Sequence, residues 1–437
     1  MPMKKAMAIG LGALMAVFLA ACSDDGPAAG NDGKPGVPKE TVTLRAGYFG
    51  GETRHKLMDQ IVADFEKKNP GIKIELEFAD IAPYYDKLSV QIAGNDAPDV
   101  FALQLERYGD FADRNQLLPL DDFIKNKEID VTDINPRTLS AGNNGGKQIM
   151  VPVGNATKGA FYNADLFKRL GVEPPKFDLT WEEFAAKGAE VVKAANKPGF
   201  YFADDSSGSI DQLGFFTRQK GKDLYTPDGK LGFAKEDLIE WFRYWDDLRK
   251  QGIIPPAAIS AEYKGKPPQE SSIVKGVTAM KVDPGGANQM AIWQKFSDDR
   301  FELVRIPGIA GGKPGEDVGG VFMGIWSKSK HPKEAAKFVN YFLNDSDSAK
   351  IYKEDSGPVP SKKIADIVRP LITPEAARVD EFQQKVNPII NNPNKRPASS
   401  NDVVKQLGLA SEAVAFGKKS VEQAVNDFFN ESNKILK

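Results

Sequence analysis

Cysteine and histidine are almost missing from this 437-residue chain: one cysteine, Cys22, and two histidines, His55 and His331. That scarcity excludes a disulfide scaffold, a cysteine zinc site and most histidine-based metal chemistry, and no cofactor is implied. No excess of positive charge is present either. Lys and Arg total 58 against 60 Asp and Glu, a net charge of −2, which speaks against a nucleic-acid binder. The hydrophobic and charged fractions, 41% and 27%, are ordinary for a globular protein and exclude a disordered chain and a multi-span membrane protein. Length alone suggests two or three lobes. P-loop, H-E-x-x-H and G-x-S-x-G patterns are all absent.

What is present begins at the N-terminus. Lys4 and Lys5 precede an apolar stretch from Ala6 to Ala21, short for a bilayer span and suited to an export signal, residues 1–21. It ends in Leu19-Ala20-Ala21-Cys22, which resembles the lipobox of bacterial lipoproteins. The resemblance implies cleavage before Cys22, acylation of that residue and attachment to the lipid bilayer. The alternative is a chance cysteine after an ordinary signal. Residues 22–40 read as a flexible tether, with four Gly and three Pro after Cys22 and Val37 as the one large apolar residue. The expected location is the cell membrane, lipid-anchored, facing the extracellular or periplasmic side.

The body opens on an α/β pattern. Val42, Leu44 and Ala46 alternate as in a strand, Leu57 to Phe65 follow helical spacing, and Ile72 to Phe78 alternate again. Strand, helix, strand over so short a span predicts a βαβ unit and a parallel sheet covered by helices. Helices are also predicted over Trp181–Val192, over Leu238–Leu248, and over Ala335–Leu343, with Pro332 in the first turn of the last. For the five tryptophans, core or helix packing is the first reading.

In open parallel sheets, ligands sit beyond the carboxyl ends of strands. Two loops qualify. Gly47-Tyr48-Phe49-Gly50-Gly51 offers glycines for close backbone approach and two flat aromatic faces. Gln104-Leu105-Glu106-Arg107-Tyr108 follows the apolar run Val100–Leu103 and brings an amide, a carboxylate and a guanidinium to one place, a set suited to a polyhydroxylated ligand. The alternatives are a solvated surface pair for Glu106 and Arg107, and core packing for Tyr48 and Phe49.

Further along, a series of short motifs appears in a particular order. Gly94-Asn95-Asp96-Ala97-Pro98-Asp99-Val100-Phe101 leads, followed by Leu117-Leu118-Pro119-Leu120, Val151-Pro152, Phe161-Tyr162-Asn163 and Thr180-Trp181-Glu182-Glu183-Phe184. Asp228-Gly229-Lys230, Gly276-Val277-Thr278-Ala279-Met280, Gly319-Gly320 and Gly357-Pro358-Val359-Pro360 complete it. The series resembles the extracellular solute-binding proteins of ABC importers, in the sugar-binding branch that includes maltose-binding protein. The resemblance runs from Thr41 to Lys437.

It implies a type II periplasmic-binding-protein-like α/β fold, two lobes joined by a hinge with the ligand cleft between them. The expected lobes are 41–152 plus about 315–355, and about 153–314 plus about 356–437. The implied function is not enzymatic: a membrane-anchored component that captures a sugar or oligosaccharide by lobe closure and delivers it to the transmembrane subunits of an ABC permease. A monomer is expected, with no nucleic-acid partner.

Residue by residue, the resemblance places Glu106 and Arg107 first, in a segment similar to the family's Asp-Arg-Phe-Gly. It adds Tyr48, Phe49 and Gly50, Gln104, Asn155 just past Val151-Pro152, and Asp205 in the loop Asp204–Ser209. Tyr84 or Tyr85 covers the cleft from the first lobe, and Gly320 to Phe322 stands at its rim. Two departures bear on the ligand. The family's aromatic-rich segment reads Asp283-Pro284-Gly285-Gly286-Ala287-Asn288 here, and Ala398–Asp402 holds no aromatic. Maltodextrin is disfavoured, and another oligosaccharide or a more polar solute contacted by Asp283 and Asn288 fits better, unless Asp283 only starts the turn before Pro284. The rival readings are a binding protein for a non-sugar solute such as a polyamine, and an exported glycoside-processing enzyme using Asp204 and Asp205.

Overall fold

A computed structural model describes residues 41–282 and 285–437. The export signal, the tether and the acylation site at Cys22 lie outside the described residues, as does Asp283.

The alternating apolar residues after Thr41 form β1 (Val42–Phe49) and β2 (Ile72–Ala79), linked by the helix Glu52–Lys68. That helix buries Met58, Ile61, Val62 and Phe65, the spacing of one helical face. The two strands pair in parallel from Val42↔Ile72 to Phe49↔Ala79, the βαβ unit the pattern predicts. Next come β3 (Val100–Gln104), the short hairpin β4 (Asn143–Asn144) and β5 (Lys147–Gln148), and β6 (Val151–Asn155). A second group follows: β7 (Ala160–Asn163), β8 (Tyr201–Ala203), β9 (Thr278–Lys281) and β10 (Phe301–Val304). Finally β11 (Gly320–Ile325) returns to the first group.

The strands make two principal sheets, in the orders β2-β1-β3-β11-β6 and β10-β7-β9-β8. Neither is wholly parallel, which corrects the simple parallel-sheet expectation. In the first, β11 runs antiparallel to β3 and β6; in the second, β7 runs antiparallel to β9 and β10. The reason is connectivity: β11 is supplied by chain returning from the second sheet, so no right-handed βαβ crossover dictates its direction. Each sheet has its own core. Phe65, Phe101, Phe322 and Phe338 belong to one, and Phe184, Phe202, Trp241 and Trp245 to the other.

Local chemistry agrees with the packing at several element ends. The helix Trp181–Ala195 starts with a full capping box: the Glu183 N–H donates to Thr180 Oγ1 at 3.1 Å and the Thr180 N–H donates to Glu183 Oε2 at 2.9 Å. Trp241 and Trp245 lie on one face of the helix Lys235–Lys250, packed edge-on against Trp181. The helix Pro332–Asn344 begins at Pro332, which has no N–H to leave unpaired. Trp326 sits one residue past β11, in a single bridge to Leu117. Among the described residues no helix is long and apolar enough to cross a membrane.

Candidate functional site

Two connections join the two groups of strands, and they meet: the Ala156 N–H donates to the Gly319 carbonyl at 3.1 Å. The first is residues 156–159, between β6 and β7. The second is residues 305–319, between β10 and β11. A further segment, Ser356 to Pro358 after the helix Ser346–Tyr352, lies against β6: the Asn155 N–H donates to the Pro358 carbonyl at 2.9 Å. The loop 286–288 also touches the first connection, with the Ala287 N–H donating to the Thr157 carbonyl at 3.0 Å.

β3 delivers its C-terminal end to this meeting point. Leu105–Arg107 form one 3₁₀ turn that puts Glu106 and Arg107 on the surface beside the connections. Arg107 lies over the Tyr85 ring, guanidinium carbon 4.7 Å from the centroid. The Tyr85 hydroxyl in turn accepts the Gln104 N–H at 2.8 Å, so one tyrosine orients both residues.

Glu106 faces a lysine that sequence reasoning did not single out. Lys158, in the first connection, is 5% exposed, with its ammonium 3.5 Å from Glu106 Oε1, 3.8 Å from Asp211 Oδ1 and 3.9 Å from Asp317 Oδ1. Arg396 pairs with Asp211, and Arg218 with Asp317 Oδ2 at 3.0 Å. Burial by itself would discharge such groups. For Lys158 the three carboxylates outweigh burial and hold its pKa above the ordinary lysine value. For Asp211, burial is likewise outweighed, by Lys158 and Arg396, and the carboxyl lies well below the usual range. The arrangement is a ring of fixed donors and acceptors around two small hollows of about 50 Å³ each, one beside Lys158 and Asp317, the other between Arg107 and Ser400. Such a ring can hydrogen-bond a polar solute from several sides. A single signal in the sequence could have revealed Lys158: it is the one charge in the otherwise small or apolar run Val151–Tyr162.

The remaining predicted residues divide. Glu106, Arg107 and Gln104 come together as expected from the strand-end rule, and Asn155 and Asn288 lie beside the same connections. Gly50, at φ +141°, takes a conformation open to glycine, and a Cβ there would lie 2.8 Å from Arg54 Cδ. Tyr48 and Phe49 are core residues. Phe49 packs on Tyr84 and Tyr85, and the Tyr48 hydroxyl bonds His55 Nδ1 while His55 stacks on Phe78. Tyr84 is buried too, donating to the Ala102 carbonyl at 2.9 Å. Phe322 was expected at the cleft rim; instead it has no exposed surface. The correction follows from its central place in β11, paired on both sides by β3 and β6. The Asp205 carboxylate is engaged by Arg249 and the Ser207 N–H, so it fixes its own loop. Its neighbour Asp204 pairs with Lys281 at 2.7 Å and accepts from the Ser272 hydroxyl. A larger cavity of about 310 Å³ lies beyond that loop, against Tyr263 and Phe416.

Comparison with known proteins agrees with this architecture. Residues 51–349 match the bacterial extracellular solute-binding protein family. The multiple sugar-binding protein of Streptococcus mutans is 26% identical over 396 residues, 83% of this chain and 84% of that protein. The arabinooligosaccharide-binding protein of Bacillus subtilis is 26% identical over 348 residues, 75% of this chain and 73% of that protein. Among solved structures, a family 1 extracellular solute-binding protein from Alicyclobacillus acidocaldarius superposes with a TM-score of 0.76 at 25% identity, covering 92% of this chain and 100% of that one. With two sheets joined by two connections and a polar ring where the connections meet, this chain belongs to the bacterial extracellular solute-binding proteins.

Proposed function

We propose that this protein is the carbohydrate-binding component of an ABC importer, holding a sugar or oligosaccharide between its lobes and presenting it to a permease. The observation that carries this reading is the polar ring of Glu106, Arg107, Lys158, Asp317 and Arg396 at the junction of the two halves. The sugar-binding relatives support the ligand class. In this reading the chain passes between lobes near residues 156–159, 305–319 and 369–373. One lobe comprises 41–155 and about 320–368, and the other about 160–304 and about 374–437, so the first boundary falls at the end of β6 and the last one beyond the helix Lys362–Val368. Cys22 is acylated and tethers a monomer to the outer face of the cell membrane. Asp283 and Asn288 contact the ligand from the second lobe.

The protein binds without turnover. Asp204 and Asp205, the carboxylates an exported glycosidase would use, are both held in ion pairs with second-lobe cations, which favours a receptor. The test is a thermal-shift screen against mono- and oligosaccharides, polyamines and peptides. A ligand at a hundred times its Kd should add about 2.7 kcal/mol, an evident rise in melting temperature. A sugar hit lost in a folded Arg107→Ala variant supports function and site together. A response to polyamines alone overturns the carbohydrate reading.

A further inference from the structure

The ring around Lys158 contains two unmet bonding capacities on groups that are almost wholly buried. Asp317 is 5% exposed; its Oδ2 forms an ion pair with Arg218 Nη2 at 3.0 Å, and its Oδ1 has no hydrogen-bond partner among the described residues. Lys158 is equally buried, yet its three carboxylate neighbours stand 3.5 to 3.9 Å from Nζ, beyond ordinary hydrogen-bond length. A buried polar atom left unpaired is costly, and native proteins seldom keep one without a partner that arrives from elsewhere. Both groups line the same hollow of about 50 Å³. That space is large enough for a hydroxyl or hydroxymethyl group.

We infer that Lys158 and Asp317 form the floor of the binding site and together grip one hydroxyl of the bound sugar. The hydroxyl donates its proton to Asp317 Oδ1 and accepts from the Lys158 ammonium, which supplies the donor and the acceptor that these atoms lack. Its geometry is set by groups that cannot relax. Arg218 holds Asp317 from behind, and Arg396 holds Asp211 on the far side of Lys158. A solute without a hydroxyl at that position leaves both buried charges unmatched, so the floor discriminates by chemistry as well as by shape. The inference rests on the carbohydrate reading above and extends it to two residues that the family resemblance did not point to.

Titration calorimetry on the purified full-length protein tests it, with raffinose, maltotriose and arabinotriose as probes. The proteins compared are the wild type, Lys158→Met, Asp317→Asn and the double variant. For every probe that binds the wild type, each single variant is expected to lose about tenfold to hundredfold in affinity, the range for a hydrogen bond to a charged group. The double variant should lose little more than either single one, because both residues hold the same hydroxyl. Asp317→Asn keeps the side-chain shape and guards against a Lys158→Met protein that fails to fold. A lowered melting temperature with Kd within twofold of the wild type, in either folded variant, marks a purely structural role and overturns the inference alone. Silence from all three probes on the wild type overturns it together with the carbohydrate reading.

Discussion

A side chain at Gly357 would place its Cβ 2.0 Å from the carbonyl oxygen of Asn155. Gly357 also takes φ +99°, a conformation other residues rarely adopt. The segment Ser356–Pro358 and the end of β6 are thus in backbone contact beside the first connection. Gly357→Ala is expected to destabilise the protein by about 3 kcal/mol or more, since the strain of the conformation and the clash add. Chemical denaturation measures this, and an unchanged midpoint would show that the connections do not need that approach.

A second relationship ties the core to a loop. Trp241 is 1% exposed and its indole N–H donates to the Ser207 carbonyl at 2.9 Å. Trp241→Phe keeps an aromatic ring but removes the donor and leaves a void, and about 2–4 kcal/mol should be lost. Urea unfolding gives the number. A loss below about 0.5 kcal/mol would mean the neighbouring tryptophans refill the space.

Glu354 makes stability depend on pH. Burial, with a further push from Asp380 and an opposing pull from Arg369, raises its carboxyl from 4.5 to about 8. Folded protein therefore holds a proton that the unfolded chain has already released. Stability from this group is complete below about pH 4.5 and is lost progressively as pH rises through about 8. Glu354→Gln keeps the uncharged shape, so it should be more stable than wild type at pH 9, by on the order of 2 kcal/mol, and nearly equal to it at pH 5. Parallel melting profiles for the two proteins across that range would refute the assignment.

Glu106→Gln separates binding from folding. Its side chain is 35% exposed and its bond to Lys158 is long, so the unliganded protein should melt within about 2 °C of wild type. Affinity for the sugars that register in the thermal-shift screen should fall about tenfold. Wild-type affinity in Glu106→Gln would leave the carboxylate as a surface group beside the cleft.

Much of this protein is decided by local sequence, because local sequence acts through neighbours. The alternation at Val42–Ala46 and Ile72–Phe78, the helical spacing between them, the Thr180–Glu183 cap and Pro332 at a helix start each concern residues within one or two turns of one another. The strand-end turn that carries Glu106 and Arg107 was legible for the same reason: it needs only the end of one strand. Aromatic residues behaved otherwise. Tyr48, Phe49, Tyr84 and Phe322 have side chains equally fit for a sugar face or a core, and the choice fell to the helices and strands that cover them. The ring around Lys158 lies furthest from sequence reasoning. Its members, Glu106, Lys158, Asp211, Asp317 and Arg396, come from widely separated parts of the chain, and each by itself reads as a solvated surface charge. Only the chain's passage between the two sheets brings them together, with Lys158 and Asp317 buried at the centre, where the loss of water makes each charge depend on the partners around it.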